Sequence, residues 1–532
     1  AVPGELRALH ELHARHGRVA WRDLVLRVVP LAERSVVAPM LALRLQQYRQ
    51  LVLSSPSLRA VFARKTAATA TGAGAASPKP EQKSARSSLS ALPSSSAFSM
   101  LSSSTSLSSH ETRSLAATAA AAVTVAAQEQ EEFEVLKEGD VLEQPKLAKT
   151  LRLVAEKGAD ALYGELAKAL ADDVQAANGV LSESDLRAYR VEVRPALTAF
   201  YDGKLVLGAP PPSSGGACVA QVLNILEGLG LRQLGRNERS YHALVEAFKF
   251  AFGARLALGD PAFARNASRA AAAMADKREA MRLRARIEAG RTFEPEHYAP
   301  RELLAHAQRE AGTTHVSIVD QFGNAVALTS SINLPFGAGV LSPATGLVLN
   351  NQMDDFSTGN ASNAFGLAPT AANAVAPGKR PLSSMAPTVV IRDGRVHMAL
   401  GASGGPRIIT ATVQAALAML EFGDDLATAI AAPRVHHQLL PNRVEMESVD
   451  ADSCALGETF QRPSGSRSWP YWSDVCSALK AYGHALRADV HNELGCVQAI
   501  VVDYERDSDS GASRRVLYAS SDPRKKGQAA AY

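Results

Sequence analysis

Between Ser84 and Ser109 the chain carries 14 serines in 26 residues. Runs of alanine, threonine and glycine flank this stretch, and Gln128–Glu134 closes it. Such a segment cannot bury enough apolar surface to offset the entropy lost on ordering. We therefore read residues 66–134 as a disordered insertion, and the core must come from the chain on either side. The full length is 532 residues, a soft prior for three or four domains, although layered α/β enzymes run longer as one unit. Lys plus Arg number 57 against 53 for Asp plus Glu, a net charge of +4 without a basic stripe, so no nucleic-acid partner is expected. Four cysteines at wide spacings exclude a disulfide scaffold and a zinc ribbon, and leave one or two bridges open. Outside predicted core elements the longest apolar stretch is Leu115–Ala127, well short of the roughly 20 residues a bilayer requires. The chain opens Ala-Val-Pro-Gly-Glu, with neither the basic nor the apolar region of a signal peptide. The expectation is that a leader was removed or that the chain is a fragment.

Periodicity places the elements. Residues 1–64 read as helices, with Leu9, Leu12 and His16, then Leu24, Val28 and Leu31, at helical spacing. Leu147–Lys157 and Asp160–Ala177 read as amphipathic helices, and Ser182 can cap a helix beginning there. Residues 197–208 read as a strand ending in Pro210-Pro-Pro-Ser-Ser-Gly-Gly216, followed by helices over Ala217–Leu229 and Ser240–Leu258. His315–Val319 and Ala325–Ser331 form a hairpin around Asp320–Asn324. Strands are expected at Gly346–Asn350, Thr388–Arg392 and Arg395–Leu400. A glycine loop, Gly401–Gly405, then opens a helix over 407–422. Cys496–Tyr504 and Arg514–Ala519 close the chain, and residues 456–472 read as a surface insertion.

Four short strings offer chemistry. Gly312-Thr313-Thr-His heads a strand. A threonine hydroxyl becomes a useful nucleophile when a base sits beside it, and its own freed α-amine can be that base. A β-branched residue that merely begins a strand is the plain alternative. Gly401–Gly405 points backbone N–H groups above the loop. It lacks a P-loop ending, so an oxyanion hole, a nucleotide cradle and an ordinary turn all stay open. In Asn350–Asp355 two adjacent acids could hold an ammonium group or a metal, or form a solvated turn. Ser383 and Ser384, between Leu382 and Met385, are potential donors to a carboxylate. His436-His437 could suggest metal ligation, but neighbouring residues on one element face apart.

Taken together, Thr313–Asn333, Pro335-Phe-Gly337, Leu349–Ser357, Pro381–Thr388, Gly401–Thr412, Arg434–Asn442 and the closing Ala519-Ser-Ser-Asp-Pro-Arg-Lys525 resemble gamma-glutamyltransferase (glutathione hydrolase). Pro210–Gly216 and Tyr241–Asp260 extend the likeness, which runs over residues 1–64 and about 135–532. The resemblance implies an α/β fold, a four-layer α-β-β-α sandwich of the N-terminal-nucleophile hydrolase type. It implies self-cleavage between Gly312 and Thr313. Residues 1–312 would be a large chain and 313–532 a small catalytic chain, held as a heterodimer. It assigns Thr313 as nucleophile, Ser331 as its hydroxyl partner, and the N–H groups of Gly404 and Gly405 as the oxyanion hole. Asn333, Gln352 and Asp355 would bind the substrate's α-ammonium, Ser383 and Ser384 its α-carboxylate, and Phe365 would border the pocket. The donors would be glutathione and other γ-glutamyl compounds, and the acceptors water, amino acids or dipeptides. No cofactor and no metal is required.

In the family a further segment precedes the Ala-Val-Pro-Gly string and carries an arginine that pairs with the substrate carboxylate. No residue here matches it, so the chain is expected to lack an N-terminal segment. A catalytically inactive homologue, with a binding role or none, is the alternative function. Asn266-Ala-Ser and Asn360-Ala-Ser are glycosylation sequons. With the resemblance they suggest an extracellular-facing protein at the plasma membrane.

Overall fold

The computed structural model describes residues 1–66, 133–300, 312–357, 370–457, 472–489, 494–506 and 513–531. Nearly all of the 66–134 insertion, most of 456–472, Leu115–Ala127, Asn360 and Phe365 lie outside the described residues.

Eight strands frame the centre of the molecule: β1 (Leu197–Tyr201), β2 (Lys204–Gly208), β3 (Thr313–Val319), β4 (Ala325–Ser331), β5 (Thr388–Arg392), β6 (Arg395–Ser403), β7 (Cys496–Arg506) and β8 (Ser513–Ser521). Six of them form one sheet in the order β8–β7–β6–β5–β2–β1. Every neighbouring pair in it is antiparallel. Among the described residues β3 and β4 pair only with each other, Thr313 opposite Ser331.

Side-chain alternation along β6 assigns the faces. Met398, Leu400 and Ala402 join the main apolar core, which also takes residues from three helices, α1 (Gly215–Glu227), α2 (Glu238–Arg255) and α3 (Arg407–Leu420). α1 is buried almost all round, as a helix with apolar residues on every side must be. Gly401, on the alternate face of β6, meets the hairpin instead. A Cβ there would come within 2.3 Å of the His315 ring, so only glycine admits the close packing of β3 on β6. The hairpin thus lies across the sheet on the face away from α1, α2 and α3.

The N-terminal residues are helical, with helices at Glu5–His16, Trp21–Leu26, Val29–Glu33, Pro39–Gln47, Arg49–Ser54 and Pro56–Phe62. Leu45, Val52, Leu53, Leu58 and Phe62 form a second core with Phe336 and Leu341. Of the positions that suggested an apolar stripe, Leu12, Leu24, Val28 and Leu31 are exposed.

Four expectations are corrected. Residues 197–208 are a hairpin rather than one strand, turning at Asp202-Gly203, both at positive φ. The helix expected over Asp160–Ala177 is interrupted by a π turn, Ala161–Glu165. There the N–H of Leu166 reaches the Ala161 carbonyl, and Ala161, Leu162 and Tyr163 become buried. Gly346–Asn350 forms no strand, because its backbone bonds are spent within the same loop, from Leu349 N to Val340 O and from Ala338 N to Leu349 O. Finally, β6 runs on through Gly401 to Ser403, paired with Gln498, Val497 and Cys496, so the glycine loop is only Gly404-Gly405. The helix cap at Ser182 is present as a reciprocal box with Asp185. α2 starts at Glu238, ahead of the expected Ser240, and is capped by Asn237 in a reciprocal box with Ser240.

Candidate active site

Thr313 begins β3 at the edge of an open cavity of about 330 Å³. Gly312 before it lies so close to Leu334 that a Cβ would come within 2.2 Å of its backbone. The hydroxyl of Thr313 is 2.9 Å from Ser331 Oγ, its cross-strand neighbour. Ser331 Oγ accepts from the N–H of Asn333 at 2.9 Å and donates to the carbonyl of Gly312 at 3.3 Å. The same carbonyl accepts from the N–H of Ile332 at 3.2 Å. The peptide between Gly312 and Thr313 therefore has a hydroxyl on one side and two donors on its oxygen.

Three acceptors form one wall. Asn333, at φ 73°, donates its amide N–H to Asn351 O, which leaves its carbonyl oxygen as the acceptor. Gln352 and Asp355 sit on one 3-10 turn and are hydrogen-bonded to each other. Burial pushes the Asp355 carboxyl up to about 7, against the opposing pull of the Gln352 amide and the Arg255 guanidinium. A buried carboxylate in want of a cation is a suitable ammonium acceptor.

Ser383 and Ser384 form the opposite wall, cradled by the Pro210–Gly216 loop. The N–H and the hydroxyl of Ser214 both donate to Ser383 O at 2.7 Å, and Ser383 N donates to Pro212 O at 2.9 Å. Ser213 bonds to Met385 O. At Gly215 a Cβ would lie 2.2 Å from Met385 O, which explains a glycine at this point. Gly405, at φ 58°, lines the cavity beside Thr313. Gly404, at φ 133°, backs onto Gly495. The carbonyls of both glycines accept from Arg407 and Ile408 at the start of α3.

Thr313, Ser331, Asn333, Gln352, Asp355, Ser383, Ser384 and Gly405 thus line one cavity, from positions up to 92 residues apart in the sequence. Asn266 is elsewhere, exposed at the start of the Ala267–Met274 helix. His436 bonds to Thr410 and Gln438, while His437 accepts from the N–H of Leu439, so the pair serves the core. Among the described residues one group could offer three metal ligands: His242, Glu246 and His484, with ligand atoms within 4.8 Å of one another. Its donors are already committed. Glu246 accepts from Thr292 and Tyr298 and faces Lys249, and the two histidines bond to each other at 2.9 Å.

Sequence reasoning missed four supporting residues. Asn373 donates to Asp355 O and accepts from Leu382 N, so one side chain ties the acceptor wall to the serine wall. Lys525 donates to the Thr313 carbonyl at 2.7 Å and to Ser403 Oγ at 2.6 Å. Ser214 holds Ser383, and Arg255 stands behind Ser384. The Pro-Pro-Pro-Ser-Ser-Gly-Gly string was a signal for the cradle. The other three have partners too distant in sequence to be found by spacing.

Comparison with known proteins accords with this geometry. The sequence profile described as Gamma-glutamyltranspeptidase matches residues 1–82 and 104–532. Glutathione hydrolase 2 of Arabidopsis thaliana is 38% identical over 404 residues, covering 75% of this chain and 66% of that protein. The glutathione hydrolase proenzyme of Escherichia coli K12 is 35% identical over 397 residues, covering 74% and 62%. The chain thus spans less than two thirds of the length of either. In fold, it resembles the crystal structure of cephalosporin acylase from Bacillus halodurans, with a TM-score of 0.67 at 21% identity, over 100% of this chain and 78% of that one. Since the family profile extends over nearly the whole sequence, the chain belongs to the gamma-glutamyltranspeptidase family.

Proposed function

We propose that this chain cleaves itself between Gly312 and Thr313 and then hydrolyses or transfers γ-glutamyl groups through Thr313. The observation that carries the reading is the contact of Thr313 Oγ1 with Ser331 Oγ, which also reaches the Gly312 carbonyl. In self-cleavage the Thr313 hydroxyl adds to that carbonyl, the Gly312–Thr313 C–N bond breaks, and the acyl group moves to Oγ1 as an ester. Water opens the ester, leaving a carboxylate on Gly312 and a free α-amine on Thr313. That amine is then the base for its own hydroxyl.

In turnover, Thr313 Oγ1 attacks the γ-carbonyl of the donor while the amine takes the hydroxyl proton. The N–H groups of Gly404 and Gly405 hold the oxyanion, and donors of this kind contribute about 3–4 kcal/mol each in comparable sites. The amine returns the proton to the leaving nitrogen. Glutathione would release cysteinylglycine and leave a γ-glutamyl ester on Thr313. Water or the amine of an amino acid or dipeptide completes the cycle. Asn333, Gln352 and Asp355 receive the substrate's α-ammonium, and Ser383 and Ser384 its α-carboxylate.

On this reading the β3–β4 hairpin belongs to the second sheet of a four-layer α-β-β-α sandwich, and residues 1–312 and 313–532 stay together as a heterodimer. We place the protein on the extracellular side of the plasma membrane. The disulfide Cys454–Cys476 and the exposed sequon at Asn266 support this placement. Loss of mass on enzymatic deglycosylation of the full gene product tests it, and an unglycosylated cytosolic product contradicts it. Release of p-nitroaniline from γ-glutamyl-p-nitroanilide by the processed chain, absent in Thr313→Ala, tests the activity. A processed chain without turnover would point to the inactive homologue instead.

A further inference from the structure

The carboxylate wall of the cavity is made of neutral hydroxyls. Ser383 and Ser384 line it, and the substrate assigned to it brings an α-carboxylate. A carboxylate leaving water needs a cation or several donors to replace its hydration.

Arg255 lies immediately behind this wall. It closes α2 and is 3% exposed. Its Nε donates to Ser214 Oγ at 2.9 Å, and its Nη2 donates to Ser384 Oγ at 3.2 Å. Ser214 in turn donates to the carbonyl of Ser383. One planar guanidinium therefore fixes Ser384 directly and Ser383 through Ser214. A hydroxyl whose lone pair accepts from a cation has its own hydrogen directed elsewhere. With Arg255 behind it, Ser384, which lines the cavity, keeps its Oγ–H available to a ligand there. Lysine could not reproduce this fork, because its ammonium is a point donor on a flexible stem.

We infer that Arg255 is a positioning residue of the carboxylate subsite, acting through Ser384 and Ser214 to select donors bearing an α-carboxylate. The inference rests on the proposed substrate class.

Direct binding separates it from that proposal. L-Glutamate and 4-aminobutyrate differ only in the α-carboxylate, and calorimetric titration of the processed chain measures both without turnover. Arg255→Gln should weaken L-glutamate at least tenfold and leave 4-aminobutyrate within about twofold, with Gly312–Thr313 cleavage still complete. Where turnover is measured, KM for γ-glutamyl-p-nitroanilide should rise by a similar factor with kcat nearly unchanged. Equal loss for both ligands would mean a structural role and overturn the inference, as would unchanged glutamate affinity. Should Arg255→Gln not fold, Arg255→Lys keeps the charge and loses the fork. Its effect on glutamate should then shrink in a Ser384→Ala background, and fully additive losses would overturn the coupling. A wild-type chain that binds glutamate without turning over donors would refute the enzymatic reading while leaving Arg255 tested. A wild-type chain that binds no glutamate overturns both.

Discussion

Asp355 is buried with its carboxyl pushed up to about 7, so below that pH it keeps a proton that an unfolded chain would release near 3.8. A folded pKa above the unfolded one means that native stability declines as pH rises through that window. On the proposed reading the substrate's ammonium would restore the charged form. Asp355→Asn is therefore expected to unfold no earlier than wild type at pH 8 in a thermal melt without ligand. It should still cleave itself, since the precursor offers no ammonium there. Its kcat/KM for γ-glutamyl donors should fall at least roughly tenfold, as removing one member of a desolvated charge pair costs about 2–5 kcal/mol. A lower melting point with intact kcat/KM would make Asp355 only a turn cap. In wild type the same group should give kcat/KM an acid limb near pH 7. At Ser331 the prediction concerns processing. Ser331→Ala removes a hydroxyl bonded to both Thr313 Oγ1 and the Gly312 carbonyl, so self-cleavage followed by gel should slow at least tenfold. Ser331→Thr should restore the rate. Thr313, Ser331 and Asp355 were all legible in the sequence because each sits in a distinctive local string. Arg255 and Lys525 were not, because their partners are 129 and 212 residues away and nothing local marks a guanidinium or ammonium that works through another side chain.

The elements that carry the site are held by a buried charge network behind it. Arg434 bonds to Asp522, and Arg524 to both Asp522 and Glu447. Glu447 in turn accepts from the backbone of Arg434 and Leu494. Burial alone would raise the pKa of Asp522, but Arg434 and Arg524 hold it below the ordinary carboxylate range. Its contribution to stability is therefore present above the unfolded value of 3.8 and is lost as pH falls through the lower folded value. Asp522→Asn leaves two buried guanidinium groups short of a partner. Such losses cost about 3–5 kcal/mol, so the denaturant midpoint at pH 7 should drop sharply and the gap to wild type should narrow in acid. An unchanged midpoint would remove the network from the stability account. At this scale the strands β3 through β8 were readable, and so was the cap at Ser182. The β1–β2 turn was signalled by Asp202-Gly203 and was overlooked. The π turn after Asp160 and the irregular path of 346–350 arise from packing against distant residues, as where Gly346 approaches the backbone of Leu147.

Across the whole molecule, one sheet with α1, α2 and α3 on one face and the β3–β4 hairpin on the other brings residues from 214 to 525 around Thr313. The order of short strings along the chain made the family readable, because each string marks a wall or a loop of one cavity. The layering was read only through that family likeness, since hydrophobic periodicity reports which face of an element is buried and not what lies upon it. The central claim is that this arrangement frees Thr313 as a new N-terminus. Intact mass spectrometry with N-terminal sequencing of the purified chain tests it directly. The account predicts a fragment beginning Thr-Thr-His-Val at Thr313, and a single uncleaved species for Thr313→Ala. A new terminus at any other residue, or cleavage persisting in the alanine variant, would contradict it.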